Sequence, residues 1–189
     1  NDRNKIRGKG FFKVLFYMPN IITAATIAML FTKLFDYNKG PVNDLLRMLG
    51  VIDENINFFT IKGASRAIVA FVQFWMWYGY TMIILISGIL GISPELFEAA
   101  DIDGANGWQK FRFVTLPNLK SIMLFTLVTS MIGGMTMFDI PFMVGGQGAI
   151  KGHTRTLSVY IFEMSFQGGK LYNRASAASM LVFVLIAIL

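Results

Sequence analysis

The chain has 189 residues, 54% of them apolar and only 15% charged, with a mean hydropathy of +0.56, which is more apolar surface than a soluble domain of this size needs for one core. Cysteine is absent and His153 is the sole histidine, so a disulfide framework, a cysteine metal site and an intramembrane Ser-His or His-metal enzyme are excluded. The net charge of +6, carried by so apolar a chain, points to anionic lipid headgroups and away from nucleic acid.

The expected fold is all-α, a polytopic helical membrane protein with about four spans, at 11–35, 68–91, 119–138 and 175–189. Arg3, Lys5, Arg7 and Lys9 lead into the first span and argue for a cytoplasmic start. Within it Lys13 and Lys33 snorkel from near the ends, and Pro19 is expected to kink the helix without breaking it. Ala24, Ala28 and Thr32 form a small-residue stripe suited to helix contact, and Asn20 is a candidate for the solute path or for an interhelical hydrogen bond.

An extracytoplasmic loop, 36–66, follows, with turn chemistry at Asn38-Lys39-Gly40-Pro41 and a short helix expected from Asn43 to Leu49. In the second span Gln73, Trp77, Tyr80 and Thr81 recur at i, i+4, i+7 and i+8 and so share a helix face. An amide beside aromatic planes suits a sugar, whose hydroxyls meet the amide and whose ring face meets the indole. The competing reading is an aromatic stripe that anchors or packs the helix.

The segment 92–118 is a hydrophilic island between apolar runs. Ser93 and Pro94 read as a helix start with Glu95 in the first turn, and Gly104 falls where a left-handed C-cap belongs. Asn106 and Gln109 have capping-box spacing, and Pro117 is expected to stop that second helix before the third span. The order Glu98-Ala99-Ala100, Asp103-Gly104, Val114 and Leu116-Pro117 resembles the EAA loop of ABC-importer permeases, with Val114 where isoleucine is more usual.

In the third span Thr126, Ser130 and Gly134 repeat every fourth residue, and Thr129, Gly133 and Met137 are further path candidates. Met131, Met135 and Met143 add an adaptable lining or a gap-filled core. The next extracytoplasmic loop, 139–174, holds Gly145-Gly146-Gln147-Gly148 and Lys151 without a Gly-Lys-Ser/Thr sequence, so the chain has no Walker A site of its own. It leads to a short helix expected around Leu157 to Phe166, with His153 as a polar loop residue. The run Ala175 to Leu189 would rise only about 22 Å, short of a ~30 Å hydrocarbon core, and the chain opens at Asn1 without Met, so a fragment cut in its last span is expected.

Beyond the EAA loop, FFKVLFYMPNII, LFDYNKGPVNDLLRMLG, FDIPFMVGGQG and TLSVYIFEMSF are similar to permeases of carbohydrate ABC importers of the maltose type. GGQG departs from the more usual Gly-Gly-Pro, which leaves the turn in that loop open. The resemblance implies a multi-pass subunit of the bacterial cell membrane. It implies as partners a second homologous permease, cytoplasmic ATP-binding subunits, an extracytoplasmic solute-binding protein, membrane lipid and a sugar substrate. It implies ATP hydrolysis by the partner with no cofactor or metal in this chain, and ATPase coupling through Glu98, Ala99, Ala100, Asp103, Gly104, Leu116 and Pro117. A polyol or glycerol phosphate is an alternative cargo. An ion-coupled secondary transporter ranks lower, since Val14 to Thr32, Ile68 to Gly91 and Lys120 to Phe138 hold no Asp or Glu.

Overall fold

The computed structural model describes residues 8–145, 152–167 and 170–189, and all regular structure among them is helical. In chain order the helices are α1 (Lys9–Ile21), α2 (Ala24–Leu34), α3 (Pro41–Met48), α4 (Lys62–Leu90), α5 (Pro94–Ile102), α6 (Gly107–Lys110), α7 (Leu116–Thr136), α8 (Asp139–Met143), α9 (Leu157–Phe162) and α10 (Tyr172–Ile188). Arg3, Lys5 and Arg7 of the basic start, and Gly146 to Lys151 of the glycine-rich tract, lie outside the described residues.

Among the described residues, two helices are by themselves long and apolar enough to cross a membrane, Lys62–Leu90 with 29 residues and Gly107–Met143 with 37. The stretch expected as the first span is a broken pair, α1 and α2, which are long and apolar enough only when taken together. α1 passes through Pro19 to Ile21, the chain breaks at Ile22 and Thr23, and Thr23 caps the new helix by accepting from the Thr26 N–H at 3.4 Å. A capping hydroxyl inside an apolar run therefore divides what composition alone reads as one segment.

Pro117 does not end a helix, contrary to expectation. The path from Gly107 to Thr136 is continuous because Phe111–Thr115 is a π-helical stretch, in which the Leu116 N–H reaches the Phe111 carbonyl. The wider turn makes room for a proline ring that would otherwise strike the carbonyl four residues back, and the Asn118 amide donates to the Val114 carbonyl at 2.7 Å.

The chain divides into two compact units, Asn1–Asn20 with Trp77–Met131 and Ile21–Met76 with Ile132–Leu189. In the first, α1 lies directly on α4 at Gly79, where any Cβ would run into the Phe16 carbonyl and come within 2.7 Å of the Tyr17 Cα. Such backbone-to-backbone approach is what small residues allow between membrane helices. Phe16 and Tyr78 close the contact edge to face at 5.6 Å.

In the second unit the core joins Ile27, Ala28 and Phe31 of α2 to Ile68, Val72 and Met76 of α4 and to Ile140 of α8. The stripe residue Ala28 is only 1% exposed, and Thr32 accepts from the Gly145 N–H at 2.9 Å. The loop from Asp36 to Ile61 is closed by one buried side chain. Asn43 donates to the Ile56 carbonyl at 3.0 Å and to the Asp36 and Tyr37 carbonyls at 3.3 and 3.4 Å, and it accepts from the Ile56 N–H at 2.9 Å.

Asn43→Leu is expected to leave these groups unpaired at a cost of about 1–3 kcal/mol per buried group. Amide exchange around Ile56 should accelerate while that of α4 stays as in the wild type. The Asp36 carboxylate accepts from the Lys39 and Asn38 N–H groups at 2.9 and 3.0 Å, and these bonds hold its pKa below the ordinary aspartate value. A lowered folded-state pKa means that the turn is fully supported at neutral pH and loses this support as pH falls through the lowered value. Protection of the Asn38 and Lys39 amides against exchange, corrected for intrinsic rates, is expected to fall there in the wild type, and in Asp36→Ala it should be low at every pH.

Candidate functional site

The hydrophilic island forms an elbow whose bends follow from local hydrogen bonds. Pro94 occupies the first turn of α5 with Ser93 before it, although the Ser93 side chain makes no cap bond. At the other end the Ala105 N–H bonds the Ala100 carbonyl at 2.9 Å and the Gly104 N–H bonds the Asp101 carbonyl at 3.1 Å. That pair is a Schellman closure, and Gly104 takes the left-handed φ of +75° that it requires.

The capping box is present one residue later. Gln109 N–H donates to Asn106 Oδ1 at 3.0 Å, and Asn106 N–H donates to Gln109 Oε1 at 2.8 Å. Asp101 on α5 and Lys110 on α6 form an ion pair across the elbow, so the two short helices are tied by side chains as well as by the turn.

α5 has no buried residue. Glu98, Ala99, Asp103, Gly104 and Pro117 are exposed, whereas Ala100 and Leu116 are half-buried. The exposed face therefore offers the Glu98 carboxylate beside the methyl-sized surface of Ala99. Beside α5 lies an open recess of about 780 Å³, lined by Ile84, Gly88, Ile92, Leu96, Ile122 and Phe125. α4 and α7 meet tightly at its edge, because a Cβ on Gly88 would come within 2.8 Å of Leu119.

The path candidates are more scattered. On α4, Gln73 and Thr81 are half-buried, and Trp77 and Tyr80 are exposed and meet edge to face at 5.8 Å. Asn20 is half-buried near the end of α1. Thr129 and Gly133 are exposed on α7; the Thr129 hydroxyl donates back to the Phe125 carbonyl at 2.8 Å, and a Cβ on Gly133 or Gly134 would meet nothing within 4 Å. Met137 is half-buried, its carbonyl accepting from the Thr156 hydroxyl at 2.8 Å. Of these candidates, Trp77 and Tyr80 are brought together ring to ring.

Sequence reasoning passed over a second polar group. Arg66 Nε donates to the His153 carbonyl at 2.9 Å. Glu163, first residue of a π-helical stretch and only 12% exposed at its side chain, pairs with Arg155 Nε at 2.8 Å without hydrogen-bond alignment. The signal was limited to an acid and a base eight residues apart across a predicted helix start.

The fold is that of a polytopic α-helical membrane protein whose long apolar helices are joined by an exposed, doubly capped elbow. Residues 4–189 match the family described as binding-protein-dependent transport system inner membrane component, and the chain belongs to that family and resides in the cell membrane. It is 32% identical over 98% of its length to the lactose transport system permease protein LacF of Rhizobium radiobacter, of which it covers 62%. It is 29% identical over 96% of its length to the trehalose/maltose transport system permease protein MalF of Thermococcus litoralis, covering 60% of that protein. A solved bacterial ABC transporter involved in import of the acidic polysaccharide alginate superposes on 98% of the chain with a TM-score of 0.85 at 25% identity, over 65% of its own chain. The chain thus spans about three-fifths of the length of the curated relatives it matches.

Gly104→Val tests the elbow directly. A Cβ at this position would meet nothing within 4 Å, so the left-handed backbone is the cost that counts, roughly 1–2 kcal/mol. Exchange of the Ala105 amide should accelerate in Gly104→Val and much less in Gly104→Asn, which tolerates that conformation.

Proposed function

We propose that this chain is the membrane-spanning permease part of an ATP-driven importer for a sugar or oligosaccharide, and that it takes up the work of ATP hydrolysis through the elbow. The observation that carries the reading is the exposed α5, closed at Gly104 and tied to the next helix by the Asp101–Lys110 pair, at the positions that resemble an EAA loop. A helix of nine residues held at its C-terminal end moves as one body, so a push on Glu98-Ala99-Ala100 is delivered to α7 through the capping box and the π-helical stretch.

The cargo class is supported by the printed names of relatives, which include lactose, trehalose/maltose and multiple-sugar systems. One neighbour's structure contains a periplasmic protein bound to an alginate pentasaccharide, which supports a solute-binding protein as external partner here. A second permease and a pair of cytoplasmic ATPase subunits complete the proposed assembly. The chain itself catalyses no reaction in this reading; ATP is consumed by the partner, and Gln73, Trp77, Tyr80, Thr81, Asn20, Thr129, Gly133 and Met137 are the residues proposed to meet the solute.

Glu98→Lys in the full complex is expected to lower the ATP turnover stimulated by the loaded binding protein at least tenfold, with binding of that protein unchanged. Reconstituted vesicles report both quantities. Wild-type turnover and wild-type uptake in Glu98→Lys would contradict coupling at this helix.

A further inference from the structure

We propose that the segment Gly107–Thr115 is a seat for anionic phospholipid, with Trp108, Phe111 and Phe113 set among the headgroups and Arg112 and Lys120 bound to their phosphates. The length of the helix argues for this. α7 has 21 residues and at 1.5 Å each spans about 31 Å, which already fills a ~30 Å hydrocarbon layer. The continuous run Gly107–Thr136 is about 45 Å long and matches hydrocarbon plus headgroup regions, so the residues before Leu116 occupy the headgroup zone at one end.

The side chains there have the composition of that zone. Trp108 is 70% exposed, Phe113 71% and Phe111 45%, although they stand next to an interhelical contact that had the chance to cover them. The Trp108 indole is favoured at headgroup level, where its apolar body and its polar N–H are both satisfied, and Phe111 and Phe113 add apolar surface beside it. Only 6% of the most apolar stretch of the Gly107–Met143 helix is buried in the chain, so the aromatic cluster continues a largely uncovered apolar surface.

Charge selects the lipid. Between Gly104 and Phe138 there is no Asp or Glu, while Lys110, Arg112 and Lys120 all fall in the half nearer the elbow. Lys110 is engaged with Asp101, whereas Arg112 and Lys120 make no ion pair among the described residues. Arg112 lies 6.0 Å from the Phe113 ring centre, which keeps its guanidinium beside the aromatic cluster. α5 carries the opposite sign, with Glu95, Glu98 and Asp101 on the helix and Asp103 at its end. An anionic surface therefore attracts the Gly107–Thr115 side and repels α5, which presses the elbow's acidic helix away from the membrane.

The test uses the full-length protein assembled with its partner subunits in vesicles of phosphatidylcholine with and without phosphatidylglycerol. A spin label at Phe113→Cys is expected to be relaxed by oxygen more than by a water-soluble nickel reagent, at a depth matching the lipid phosphates. Arg112→Gln is expected to weaken phosphatidylglycerol retention during purification about fivefold, as is Lys120→Gln, from the loss of one surface cation each. Phosphatidylcholine retention should not change. A label shielded from both relaxing reagents would mean that a partner subunit covers the segment and would overturn the proposal. So would a label freely reached by nickel, or wild-type phosphatidylglycerol retention in both charge variants. ATP coupling through Glu98 plays no part in these readouts, so the lipid seat and the coupling role stand or fall separately.

Discussion

Four hydrogen bonds between Ala100 and Gln109 determine what the elbow is able to do. Two close α5 onto the left-handed Gly104, and two lock Asn106 with Gln109 at the start of the next helix. Each terminus is thereby satisfied by its immediate neighbours, so the segment needs neither burial nor a partner to hold its shape. That independence is what lets α5 stand without a single buried residue and still keep a fixed exit angle. A floppy connection of the same length would dissipate a push before it reached α7.

Lipid as solvent explains the contrast between the tight and the loose parts of the chain. Apolar side chains gain little by leaving hydrocarbon for one another, so membrane helices commit to contact where small residues let backbones meet. Gly79 against the Phe16 backbone is such a place, while Gly88 makes room for the side chains of Ile122 and Leu119 and Ala28 packs within the α2 core. Elsewhere Phe74, Phe125, Leu181 and Phe183 are turned outward without contradiction. Polar loops follow the opposite logic: Asn43 is 1% exposed and spends its amide on backbone groups that water does not reach.

The elbow was largely legible because its signals are local. Asn106 and Gln109 announce a capping box by spacing alone, and Gly104 marks a C-cap because only glycine takes that φ without strain. The short helix α3 was visible too, although it begins at Pro41 and not at Asn43, because a proline at the first helical position also reads as turn chemistry. Passage of the helix through Pro117 was hidden, since a π-helical turn leaves no periodic trace and proline usually ends a pattern. The division of the first apolar run at Thr23 was equally hidden, because threonine is common inside membrane helices and becomes a cap only when the backbone around it opens. Asn43 and the Arg155–Glu163 pair depend on partners 13 and eight residues away, distances at which spacing carries no direction. The aromatic stripe on α4 is a pattern on one helix, and such a pattern does not say which surface faces a solute.

The account turns on the elbow meeting an ATPase. The described chain has no cysteine of its own, so Ala99→Cys introduces a single reactive thiol on the exposed face of α5. In the assembled transporter, with a second cysteine scanned along the ATPase surface, a short thiol crosslinker should join Ala99→Cys to that subunit, with a yield that changes on ATP binding. Labelling of Ala99→Cys in intact cells by a membrane-impermeant maleimide, with no crosslink to the ATPase at any position, would contradict it.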